Sequence, residues 1–130
     1  MFKAGNLRSP LGRARGLGAA KEGLHHWWAQ RVTAVALIPL SIWFVASLIR
    51  LAHSEGGAFY DWLLSPINAT ALILFIAVGF HHGVIGLQVV IEDYVSDHGR
   101  RMVLVMFTQL VGYALAALAI VSTLIVTLGG

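Results

Sequence analysis

The chain has 130 residues, 58% of them hydrophobic and 12% charged, with a mean hydropathy of +0.78. A water-soluble domain carries about 25% charged residues, so this composition excludes an ordinary soluble enzyme and calls for lipid around most of the surface. With no cysteine, the chain by itself excludes a Cys-ligated iron–sulfur cluster, a thiolate zinc site, a disulfide framework and a cysteine nucleophile.

Residues 1–31 are polar and rich in Gly and Arg, and they carry Lys3, Arg8, Arg13, Arg15, Lys21 and Arg31. An Arg-rich, acid-poor leader of this kind also resembles an organelle transit peptide; an uncleaved segment on the inner side of the membrane is the expectation preferred here. A first apolar run extends from Val32 to about Leu51, close to the ~20 residues that cross ~30 Å of hydrocarbon. A turn-rich stretch, His53-Ser54-Glu55-Gly56-Gly57, precedes the aromatic segment Phe59-Tyr60-Asp61-Trp62. Ser65-Pro66 reads as an N-cap with proline at the first helical position, and the second run covers Ile67 to Ile91. The polar stretch Glu92–Arg101 leads to a third run, Met102 to Leu128.

The expected fold is therefore all-α: an integral membrane bundle of three transmembrane helices at about 32–51, 67–91 and 102–128. Residues 1–31 form the N-terminal segment and 32–128 the membrane domain. Lys and Arg concentrate in residues 1–31 and at Arg100 and Arg101, whereas residues 52–66 hold none. Basic residues are retained on the cytoplasmic side, so the amino terminus is expected inside and the carboxyl terminus outside. Trp27 and Trp28 fall at the inner boundary, Tyr60 and Trp62 at the outer one, as interfacial aromatic belts do.

The second run carries Gly79-Phe80-His81-His82-Gly83-Val84-Ile85-Gly86-Leu87-Gln88, ending in Glu92-Asp93-Tyr94. Histidine inside a membrane helix is uncommon and points by default to function. His82 lies about 16 Å along the helix from Asp93, which places it near mid-membrane if Asp93 marks the interface. On a helical wheel Gly79, Gly83 and Gly86 fall about 40–100° to one side of His82, a smooth groove that a flat haem could approach. They lie away from His81. If one histidine ligates haem iron, His82 is the better placed, and imidazole is a common haem ligand. The plainer reading is that Gly79-x-x-x-Gly83 is a helix-packing motif, that His81 and His82 make interhelical hydrogen bonds, and that Gln88 is an interhelical hydrogen-bond donor.

Asp93 and Tyr94 have two readings as well. They are either solvated loop charges beside a belt tyrosine, or a quinone headgroup site in which the phenol donates to a carbonyl and the carboxylate relays protons. His25 and Arg31 stand at the entry of the first helix, where Arg31 either anchors to the interface or meets an anion.

His82-x-x-x-Gly86 followed by Asp93-Tyr94, together with His25-x-x-x-x-x-Arg31-x-Thr33-Ala34 opening the first helix, resembles a known family. It is the small hydrophobic membrane-anchor subunit, cytochrome b-type, of succinate dehydrogenase (respiratory complex II) in its bacterial four-subunit form. The resemblance covers roughly residues 23–128. It implies an anchor that supplies His82 as one axial ligand of a haem b shared with a larger cytochrome b-type anchor subunit. It also implies Tyr94 and Asp93 at a ubiquinone-reduction site, and His25 and Arg31 at the haem propionates or the edge of the quinone pocket. The implied partners are that larger anchor, an iron–sulfur subunit, a flavoprotein subunit and the lipid of a bacterial inner membrane, or less expectedly a mitochondrial one, with no nucleic acid. The chain alone is expected to have no activity; it would couple succinate oxidation elsewhere in the complex to the quinone pool. A fumarate reductase anchor and a cofactor-free structural subunit are the alternatives.

Overall fold

The computed structural model describes residues 19–129, with side chains from Gly23 onward. The leader ahead of Ala19 lies outside the described residues. The described chain is all helical: α1 Ala19–Ala52, α2 Ala58–Leu64, α3 Pro66–Tyr94 and α4 His98–Gly129. The helices α1, α3 and α4 are each long and apolar enough to cross a membrane, so the chain is a multi-pass membrane protein.

The helices outrun the apolar segments that predict them. Backbone propensity and hydropathy are different signals: Ala19, Ala20, Lys21 and Glu22 are good helix formers, so α1 continues through the polar entry well before Val32. At the same end of the bundle, the expected 92–101 loop shrinks to Val95, Ser96 and Asp97. Asp97 starts α4: its carbonyl accepts the Arg101 N–H at 2.9 Å and its carboxylate accepts the Arg100 N–H at 3.3 Å. The start of α3 is as read from the sequence, with Ser65 extended at the cap and Pro66 in the first turn.

The stretch between α1 and α3 is more ordered than its turn-rich sequence implies. Gly57 takes a left-handed φ of 94°, a conformation open to glycine without a Cβ penalty, and α2 follows. Its ring Trp62 stacks on Trp43 of α1 at 5.5 Å and on Phe59 at 5.9 Å. The amide of Asn68 donates to the Trp62 carbonyl at 3.1 Å, tying the end of α2 to α3. Leu63 beneath it is only 3% exposed. Aromatic area burial thus stabilises a helix far too short to persist alone.

Helix α3 is the centre of the arrangement, packed against both α1 and α4, while α2 rests on α3 and α4. The closest approach is between α3 and α4. A Cβ built on Gly112 would run into the Val84 side chain, and Val84 is buried and stiff at χ1. Gly112→Ala is therefore expected to destabilise the protein by about 1–3 kcal/mol, read as a lower melting temperature of the purified complex. Few side chains are buried within the chain, whereas Ile67 and Leu128 are 78% and 81% exposed. Apolar surface on this scale faces lipid or neighbouring subunits.

Candidate functional site

His82 turns toward α1. Its Nδ1 lies 2.9 Å from the Thr33 hydroxyl, across the seam between the two helices. Thr33 has one hydroxyl proton, and that proton is committed to its own helix: Oγ1 reaches the Ala29 carbonyl at 2.6 Å and the Gln30 carbonyl at 3.1 Å. Such back-bonding one turn down is the usual habit of a helical threonine. The Thr33 oxygen can then only accept from His82, so Nδ1 carries the imidazole proton. Nε2 is left with its lone pair free.

His81 is turned the other way, toward α4, with Nδ1 3.0 Å from the Tyr113 hydroxyl. The phenol has no other acceptor among the described residues, and an unpaired O–H within the membrane is costly. The arrangement that pairs the phenol proton has it point at Nδ1, which puts the His81 proton on Nε2, the reverse of His82. Below this pair, Gln109 donates to the Gln88 carbonyl oxygen at 3.3 Å, and Gln88 donates to Glu92 at 3.1 Å. Gln88 thus bonds across helices as an acceptor and not as the expected donor, its own N–H being given to Glu92 within α3.

The glycine groove needs correction. Gly79 packs against α1, where an added Cβ would meet Leu37 at 3.8 Å, and Gly86 does the same against Gln30 at 3.3 Å. Only Gly83 among the three has open space beside it. An apolar groove of about 600 Å³ does run past Gly79 and Gly83, but between α3 and α4, and Phe75, Phe80, Phe107 and Leu115 line it rather than His82. The glycines and the His82 imidazole do not make one surface within this chain. Wheel angles place residues around a helix; they do not say which sector its neighbours occupy.

The remaining expected site residues lie toward the end of the bundle where α1 begins and α3 ends. Asp93 and Tyr94 close α3, and Tyr94 is 84% exposed. His25 and Arg31 are exposed on α1, with the Arg31 guanidinium 5.0 Å over the Trp27 ring. Within the described residues no hydrogen bond joins His25 or Arg31 to His82, Asp93 or Tyr94. These side chains are presented outward.

Two residues at the α1–α3 seam had no role assigned from sequence: Thr33, quoted only as part of the family pattern, and Gln30. Thr33 is the polar partner of His82, and Gln30, one turn away, has a buried side-chain amide oxygen, Oε1, with no hydrogen-bond partner among the described residues. A hydroxyl inside an apolar run, set against an intramembrane histidine, was the available signal. No group of three or more His, Cys, Asp or Glu side chains suited to a metal ion occurs among the described residues. Haem iron needs no such cluster, because the macrocycle fills four positions and one imidazole can supply an axial bond.

The sequence pattern of the succinate dehydrogenase/fumarate reductase transmembrane subunits matches residues 5–127. The succinate dehydrogenase hydrophobic membrane anchor subunit of Paracoccus denitrificans is 36% identical over 115 residues, which is 86% of each chain. That of Rickettsia conorii is 33% identical over 106 residues, 81% of this chain and 84% of its own. The succinate dehydrogenase membrane anchor subunit of Reclinomonas americana is 27% identical over 94 residues, 70% of this chain and 78% of its own. No solved structure gives a significant match. With three apolar helices and a family pattern spanning nearly its whole length, the chain belongs to the succinate dehydrogenase and fumarate reductase transmembrane subunits, as a membrane-anchor member.

Proposed function

We propose that this chain anchors a succinate:ubiquinone oxidoreductase in a bacterial inner membrane, amino terminus inside, and that it supplies one axial ligand of a shared haem b and part of the ubiquinone-reduction site. The observation that carries the reading is the 2.9 Å contact between His82 Nδ1 and the Thr33 hydroxyl: with Nδ1–H held there, Nε2 would be free as an iron ligand. His81 Nδ1 meets the Tyr113 hydroxyl and serves the α3–α4 seam instead. A larger cytochrome b-type subunit would provide the second axial ligand, and the haem, when bound, would offer a one-electron site within the membrane.

Reduction of ubiquinone takes two electrons, delivered through the flavoprotein and iron–sulfur subunits, and two protons. Tyr94, at the end of α3 and open to a partner-built pocket, would donate a hydrogen bond to a quinone carbonyl oxygen. That bond strengthens as the oxygen gains electron density. The neighbouring Asp93 carboxylate would pass protons from water. Arg31 and His25, on the interfacial stretch of α1, suit the haem propionates or the rim of the quinone pocket. The succinate direction is favoured over fumarate reduction because the curated relatives are named succinate dehydrogenase subunits.

Deleting the chain tests the anchoring role. Succinate oxidation measured with a soluble dye is expected to move from the membrane to the soluble fraction, with succinate–quinone activity lost. Dye-linked and quinone-linked activity that both stay on the membrane would contradict it. The purified wild-type complex is expected to show a b-type band on reduction; its absence would remove the haem from the proposal.

A further inference from the structure

The geometry points to Thr33 as a positioning residue that fixes the ring and tautomer of His82 and thereby helps set the redox potential of the haem; this rests on the reading that His82 is an iron ligand. The argument begins with the order of donors. Thr33 Oγ1 gives its proton to the Ala29 carbonyl at 2.6 Å and receives the His82 Nδ1–H at 2.9 Å. The chain His82 N–H to Thr33 O–H to Ala29 C=O runs in one direction, and each bond polarises the next. A short bond from the hydroxyl to the carbonyl makes the Thr33 oxygen a better acceptor than an unbonded alcohol.

An accepted Nδ1–H leaves more electron density on Nε2, which makes the ligand more basic. A more basic axial imidazole favours ferric over ferrous iron and lowers the potential. Position follows from the same contact. Thr33 is branched at Cβ and bonded to its own turn, so its oxygen has little freedom. The seam holds the ring because Gly86, one turn from His82, lets Gln30 of α1 lie close to α3.

A purely structural tie between α1 and α3 would make a different prediction: loss of the hydroxyl would weaken the fold and leave the haem electronically unchanged. The purified whole complex separates the two. Thr33→Val keeps the shape and removes the acceptor; Thr33→Ser keeps the hydroxyl. Redox titration of the b-type band and low-temperature electron paramagnetic resonance of the oxidised haem are read on wild type, Thr33→Val, Thr33→Ser and His82→Ala. The expected result is a more positive midpoint potential and altered g-values in Thr33→Val, with Thr33→Ser close to wild type. Loss of haem from an otherwise assembled Thr33→Val complex, restored in Thr33→Ser, supports the inference equally. If Thr33→Val fails to assemble, Thr33→Ala is read in its place. A potential and spectrum in Thr33→Val identical to wild type, in a complex whose band disappears in His82→Ala, would overturn this inference alone. A band that survives in His82→Ala would overturn the ligand reading and this inference with it.

Discussion

Tyr94→Phe is expected to lower succinate–quinone turnover about 10- to 100-fold while leaving dye-linked succinate oxidation unchanged. The substitution removes one hydroxyl and nothing else from a side chain that is 84% exposed and makes no hydrogen bond among the described residues, so stability should scarcely change. A hydrogen bond to an oxygen gaining negative charge is worth about 1.5–3 kcal/mol, and each 1.36 kcal/mol is about a factor of ten in rate. Because the bond strengthens as the quinone is reduced, the loss should fall mainly on kcat rather than KM. Asp93→Asn should lower the same activity without affecting the dye assay. Equal loss in both assays would point to a failure upstream or in assembly and would count against a role for Tyr94 at the quinone.

The second large effect is expected at His82. His82→Ala removes the axial bond from this chain, and haem content of the purified complex should fall from one per complex to nearly none. His81→Ala should leave haem content at the wild-type level, because its loss frees only the Tyr113 hydroxyl at the α3–α4 seam. The cost there is an unpaired hydroxyl, about 1–3 kcal/mol, visible as a lower melting temperature. Two adjacent histidines on one helix point about 100° apart, which is why neighbours in sequence can have unrelated roles.

Much of the fold was legible because lipid imposes one strong rule: about 20 apolar residues make a span. The Ser65-Pro66 boundary was legible because proline is best accommodated in the first turn of a helix. The start of α1 was not, since hydropathy marks where lipid begins and says nothing of Ala19–Glu22, which are helical by propensity. Helix α2 was hidden for a different reason. Its stability comes from Trp62 stacking on Trp43 and from the Asn68 bond to the Trp62 carbonyl, contacts to residues that local sequence does not reveal.

The site divides in the same way. His82 could be singled out by its depth and by its difference in direction from His81. The reason given, the glycine side of the helix, was incomplete: Gly79 and Gly86 pack against α1, and the groove that Gly79 and Gly83 line opens between α3 and α4, away from His82. Thr33 and Tyr113 are the residues that distinguish the two imidazoles, and they lie 49 and 32 positions away in sequence. Only the packing of α1 and α4 on α3 brings them there.

The most direct test of His82 as an iron ligand is chemical rescue. A reduced-minus-oxidised spectrum is recorded for the purified His82→Gly complex, without and with added imidazole, beside His81→Gly. The account predicts no b-type band in His82→Gly, return of the band when imidazole occupies the space left by the ring, and an undisturbed band in His81→Gly. A band that persists in His82→Gly without imidazole, or that is lost and rescued in His81→Gly instead, would contradict it.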